Sequence, residues 1–239
     1  STLFNAITKA GAEAANFPFC TIEPNVGVVE VPDHRIYDLA AMFKPKKTTP
    51  AFTRFVDIAG LVAGASKGEG LGNQFLSHIR ETDAIAHVVR CFEDGNITHV
   101  EGSIDPVRDM DIINTELCLA DLESVDKKKT KTAKLAQAGI KQAKVDLPVL
   151  EKVYDALQNG TPARALTLSE DDLEVLKELN LITLKPVLYV LNMAEDDIAD
   201  PLANKFVQAA SAEAEKEGAK WVPISAEIEE EVSELDRKS

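Results

Sequence analysis

Cysteine is scarce in this chain: Cys20, Cys91 and Cys118 are odd in number and widely spaced. That spacing excludes a disulfide framework and a zinc-ligand set, so a cytoplasmic protein with three structural thiols is expected. Long apolar runs are missing too, and none approaches the ~20 residues a membrane-spanning helix needs. Positive charge is short: 26 Lys and Arg stand against 40 Asp and Glu, for a net charge of −14. This balance argues against broad, charge-driven binding of nucleic acid, and there is no DNA-specific signal. No internal repeat stands out. What is present is ordinary: 239 residues, 45% hydrophobic and 28% charged, enough for a sizeable core in one or two domains.

Helices and strands alternate along the chain. A helix is predicted from Leu3 to Ala10, an alternating strand over roughly Val26 to Val31, and a short helix at HRIYDLAAMF. FTRFVDIAG reads as a strand running into a glycine, followed by the irregular LVAGASKGEGLG and a helix at NQFLSHIRETD. AIAHVVRCF is a near-continuous apolar run, the pattern of a strand buried on both faces. From Asp109 to about Asn159 the residues turn Lys-, Glu-, Ala- and Leu-rich, and two helices joined near Gly139 fit them. Pro148 breaks the periodicity of the second helix. Ser169 and Asp172 form a weak capping box. PVLYVLN and KWVPISA are two further strands separated by a helix. The expected architecture is a doubly wound, mostly parallel α/β sheet carrying an inserted helical hairpin. The expected division is a nucleotide-binding domain at 1–108 and 184–239, interrupted by a helical insertion at 109–183.

In such sheets ligands bind at the carboxyl ends of the strands. Asp57 ends one strand and Gly60 follows three residues later, the D-x-x-G by which P-loop hydrolases hold Mg²⁺ and sense a γ-phosphate. Asn192 and Glu195 follow a buried strand where such proteins read the base, and Ser225 with Ala226 ends the next strand, where a backbone N–H completes the base pocket. STLFN reads as the helix half of a phosphate-binding loop whose glycines and Lys would stand before Ser1. An incomplete nucleotide site is therefore expected in this chain.

FPFCTIEPNVGVV, VDIAGLVAGASKGEGLGNQFLSHIRETDAIAHVVRCF and KPVLYVLN closely resemble the Obg-like ATPase (YchF) family of P-loop proteins. The resemblance runs from Ser1 to about Leu235. It implies binding and hydrolysis of ATP in preference to GTP, dependence on Mg²⁺, and association with ribosomes. Family members also carry a C-terminal TGS domain, which these residues do not reach. Residue by residue, it gives Ser1 as a metal ligand and phosphate contact and Thr2 as its neighbour at the phosphate. Thr21 becomes a second metal ligand in switch I, with Asp57 as metal ligand and Gly60 as the γ-phosphate sensor of switch II. Asn192, Met193 and Glu195 become the base-reading loop, with Ser225 and Ala226 as its companion.

Guanine-specific relatives read the base with N-K-x-D; here the carboxylate is one methylene longer, and Met193 replaces the Lys. A guanine left without its paired contact costs ~1–3 kcal/mol, so adenine becomes acceptable. Leu61 stands where Ras-like proteins orient water with Gln. His99, in GNITHVEG, is the best-placed candidate for a catalytic flap, although a solvated loop His is as common. His87 is expected to be structural, His78 lies on the switch II helix, and Arg54, Lys67 and Arg80 are weaker candidates for charge stabilisation. The run Lys127 to Lys131 is a candidate contact for ribosomal RNA, offsetting the acidic total locally. Three readings stay open: an Mg²⁺-dependent ATPase switch, an Obg-type GTPase, and a nucleotide-tuned ribosome-binding adaptor with negligible turnover.

Overall fold

The computed structural model describes residues 2–8, 25–58, 71–93 and 103–238. In chain order its elements are α1 (Thr2–Thr8), β1 (Asn25–Glu30), α2 (His34–Phe43), β2 (Phe52–Asp57), α3 (Leu71–Arg80) and β3 (Ile85–Arg90). There follow α4 (Pro106–Gln137), α5 (Lys141–Gln158), α6 (Glu170–Leu176), β4 (Val187–Asn192), α7 (Lys205–Lys216), β5 (Lys220–Ile224) and α8 (Ala226–Lys238). They fall into two compact units, Ser1–Ile58 with Ala226–Ser239, and Ala59–Ser225.

In the first unit β1 and β2 pair antiparallel, from Asn25 opposite Asp57 to Glu30 opposite Phe52. α1 packs against β1, β2 and α8, and its Phe4 is buried. Gly27 permits this approach: a Cβ there would stand 2.3 Å from Thr8 Cγ2. α2 starts at Asp33, whose carboxylate accepts from the Arg35 N–H at 3.0 Å, and ends at Lys44 in the left-handed region.

The second unit holds the parallel sheet, in the order β3-β4-β5. Its core gathers Val89, Cys91, Met110, Tyr189, Leu191, Met193, Val207 and Ala210 beneath α4 and α7. β3 differs from the two-sided burial expected of it. Val89 is 2% exposed on the face that packs with Met110 of α4, whereas Val88, pointing to the opposite face, is 49% exposed.

The inserted hairpin is α4 and α5. Asp105 caps α4 by accepting from the Arg108 N–H at 3.1 Å, and Pro106 occupies the first turn, where its missing N–H costs nothing. Gly139, at φ 90°, makes the reversal that a side-chain-bearing residue would resist. Pro148 does not interrupt α5. An internal proline costs ~3 kcal/mol or more. Leu150, Val153 and Leu157 are buried one turn after another against Cys118 and Val125, each contributing ~1.5–3 kcal/mol, and this offsets it. The capping box of α6 is present: Ser169 Oγ accepts from the Asp172 N–H, and Asp172 accepts from the Ser169 N–H.

Candidate functional site

Parallel strands end together, and in the second unit that edge collects most of the expected base-reading residues. Arg90 of β3 pairs in register with Asn192 of β4, and Asn192 with Ile224 of β5. The ladder runs one step further on both sides: Cys91 N–H donates to the Asn192 carbonyl at 2.7 Å, and Met193 N–H to the Ile224 carbonyl at 2.9 Å. Met193 is therefore held at the sheet edge with its side chain 2% exposed. Ser225, the next residue after β5, is equally buried. Glu195 is exposed and opens a 3-10 turn, Glu195–Asp197.

Asn204 fastens this edge, and nothing in the sequence pattern beyond its place before a helix marks it. Its Oδ1 accepts from the N–H groups of Phe206 and Val207, capping α7. Its Nδ2 donates to the Cys91 carbonyl at 3.0 Å and to Asp197 Oδ2 at 2.7 Å. One amide thus ties the turn that begins at Glu195 to the end of β3. Sheet edge, turn and helix start are one hydrogen-bonded piece.

The remaining candidates lie elsewhere. Thr2 opens α1, Ala226 opens α8 and Asp57 is the half-buried last residue of β2, all in the first unit. Ser1, Thr21, Gly60 and His99 lie outside the described residues, as do Leu61 and Lys67. Among the described residues no three His, Cys, Asp or Glu side chains are grouped to hold a metal. Asp57 offers the hard oxygen that Mg²⁺ takes, and Ser and Thr hydroxyls offer the same chemistry.

Two polar clusters behind the edge were not legible in the sequence. Asn114 on α4 donates to Tyr189 Oη at 3.1 Å and to Glu217 Oε1 at 2.8 Å, while Arg164 reaches Asn114 Oδ1 and Glu217 Oε2, both at 3.0 Å. Tyr189 Oη donates to Glu217 Oε2 at 3.0 Å, so the root of α4 is bonded to β4 and to the end of α7. Burial pushes Tyr189 up to about 12. His87, half-buried, packs against Tyr189 in a tilted arrangement with centroids 5.4 Å apart, and desolvation, aided by the Arg164 charge, holds it down at about 4. His87 is a neutral packing residue, as expected. Cys91 and Cys118, pushed up to about 12 by burial, remain thiols.

The second cluster reassigns Arg80. Its guanidinium sits 3.0 Å from the fully buried Asp121 of α4, which takes it away from any charge-stabilising role. Arg54 is exposed on β2.

Residues 1–120 match the family described as 50S ribosome-binding GTPase. The chain is 52% identical to the ribosome-binding ATPase YchF of Bacillus subtilis (strain 168), over 99% of its own length and 64% of that protein. It is 47% identical to the protein of the same name from Mycoplasma pneumoniae (strain ATCC 29342 / M129 / Subtype 1), covering 99% of the chain and 65% of the relative. Among solved structures, the Schizosaccharomyces pombe YchF GTPase superposes with a TM-score of 0.78 at 40% identity, covering 98% of this chain and 64% of that one. The chain thus spans just under two thirds of the length of the relatives it matches.

Proposed function

The chain belongs to the YchF branch of the 50S ribosome-binding GTPase family, and from that premise we propose that it is the nucleotide-handling part of an Mg²⁺-dependent ATP-hydrolysing switch that works on the ribosome. The observation that carries the ATP preference is the sheet edge at Asn192–Glu195. Met193, in place of a lysine, is locked into the ladder with its side chain buried in the core, so this position offers a base no charge. Glu195 stands exposed on its own turn, one methylene longer than the aspartate that pairs with guanine. Without the fixed bidentate aspartate contact guanine loses its main advantage at this site, and a base with an N6 donor and an N1 acceptor becomes acceptable. Asn192, Ser225 and Ala226 complete the base pocket in this reading.

Thr2 with Ser1 meets the phosphates, and Asp57, Ser1 and Thr21 are the oxygen donors for Mg²⁺. When bound, the ion supplies neutralisation of charge on the phosphates. Gly60 senses the γ-phosphate through its N–H, and His99 is the group proposed to order water, since Leu61 lacks a hydrogen-bonding side chain.

The ribosome contact is assigned to the far end of the hairpin. Lys127, Lys128 and Lys129 are already paired with Glu123, Glu178 and Asp126. Lys131, Lys134, Lys141 and Lys144 are exposed and form no ion pair among the described residues. The available positive charge therefore lies beyond the Lys127–Lys129 run, around the Gly139 reversal, where it suits an RNA phosphate backbone.

Calorimetric titration of the intact protein with ATP and GTP tests the reading. Tighter ATP than GTP binding is expected; tighter GTP binding would refute the role given to Met193 and Glu195. A second reading, the adaptor with negligible turnover, is favoured by Leu61 and is distinguished by single-turnover hydrolysis.

A further inference from the structure

α3 follows directly on the segment that contains Gly60, and its last turn is built into the hairpin. Arg80 Nη1 lies 3.0 Å from Asp121 Oδ1 and donates to the Asn180 carbonyl at the same distance. Its Nη2 donates to the Ala120 carbonyl of α4 at 3.2 Å. Asp121 is wholly buried and accepts three hydrogen bonds: from the Ile182 N–H at 3.1 Å, and from the Thr183 N–H and Oγ1, each at 2.7 Å. Lys185 closes the junction from the other side, with Nζ donating to the carbonyls of Arg80, at 3.0 Å, and Thr82. One carboxylate and two cations thus bind the end of α3, the middle of α4 and the approach to β4.

Nothing in nucleotide binding requires such an arrangement. Arg80 and Asp121 are on the side of α3 away from Gly60 along the chain, and Asp121 stands halfway along a helix that leads to the lysine-bearing tip. A buried carboxylate held by three hydrogen-bond donors and a cation has one good geometry, and separating it from that cation leaves an uncompensated buried charge. When α3 shifts, moving α4 with it therefore costs less than releasing Arg80.

We propose that the Arg80–Asp121 junction is the mechanical link by which the nucleotide state sets the position of the hairpin, and with it affinity for the ribosome. Arg80 acts as a positioning residue, not a catalytic one. The proposal rests on the switch reading above, and it adds the route by which the switch reaches its partner.

The test measures affinity for purified bacterial ribosomes in the presence of ADP or a non-hydrolysable ATP analogue. Wild type, Arg80→Met, and the double variant Arg80→Met with Asp121→Asn are compared in the intact protein. The double variant removes both charges together and keeps one oxygen, enough for the Thr183 N–H and hydroxyl but not also for the Ile182 N–H, so circular dichroism and thermal unfolding first establish that each variant is folded. Coupling between sites commonly amounts to about 5-fold or more, and wild type is expected to show at least that ratio between the two nucleotides. In the variants the ratio should fall to near one while calorimetric affinities for both nucleotides stay at wild-type values. A folded variant that keeps the wild-type ratio overturns the junction and leaves the switch reading standing. A wild-type ratio near one overturns both. Hydrogen exchange along 117–125 gives an independent readout: nucleotide-dependent protection in wild type should disappear in the variants.

Discussion

Acidification should weaken the second unit through one residue, His87. An exposed histidine titrates near 6.5, whereas burial against Tyr189 and the nearby Arg164 charge hold His87 at about 4. Between those values the unfolded chain binds a proton that the folded chain refuses. Stability is therefore fully present above about pH 6.5 and falls as the pH drops toward 4. Each unit of difference corresponds to about 1.4 kcal/mol, so lowering the pH from 7 to 5 should cost about 2 kcal/mol from this group. Other carboxylates and histidines also titrate, and a His87→Gln variant cancels their share. Urea unfolding followed by the fluorescence of Trp221, the single tryptophan, reports the same unit, since Trp221 lies on β5. Wild type should lose about 2 kcal/mol more than the variant over that interval. Parallel pH profiles for the two proteins would refute the assignment of His87 as a half-buried, neutral packing residue.

The close approach of α1 to β1 makes Gly27→Ala destabilising by about 1–3 kcal/mol, read by thermal unfolding followed by circular dichroism. Adding Thr8→Ala should recover only part of this, because the Thr8 Cβ itself would stand 2.6 Å from the new methyl group. Replacing Lys131, Lys134, Lys141 and Lys144 together by Gln should flatten the salt dependence of ribosome binding. At ~0.7–0.9 per phosphate contact, the slope of log affinity against log salt should shrink by about 3. An unchanged slope would move the RNA contact away from the hairpin tip.

Local patterns made much of the fold legible. The three parallel strands, the reversal at Gly139 and the Ser169–Asp172 capping box are each written within a few consecutive residues, where periodicity and turn chemistry act. The elements that escaped are non-local. Asp121 finds Ile182 and Thr183 sixty residues away, and Asn114 finds Glu217 across more than a hundred; no spacing rule announces either. Pro148 reads as a break because a proline's cost is local, while the burial that outweighs it comes from a second helix. At the candidate site, the Asn192–Glu195 stretch was found by its place after an apolar strand. The side chain that braces it, Asn204, carries no local mark of that role, because its partners Cys91 and Asp197 come from other segments. Burial of β3 was overestimated for a related reason: an apolar run shows what can be covered, not what covers it.

The length of α4 has an electrostatic consequence. From Asn114, bonded to Tyr189 and Glu217, to Lys134 is twenty residues of one helix, about 30 Å at ~1.5 Å per residue. At physiological ionic strength, potentials decay over ~8 Å, so that span is several screening lengths. The lysines near Gly139 are therefore insulated from the acidic residues at the helix root, and a chain of net charge −14 can present a cationic end to a polyanion without its own body opposing the approach. α4 works as a standoff: it fixes which end arrives first.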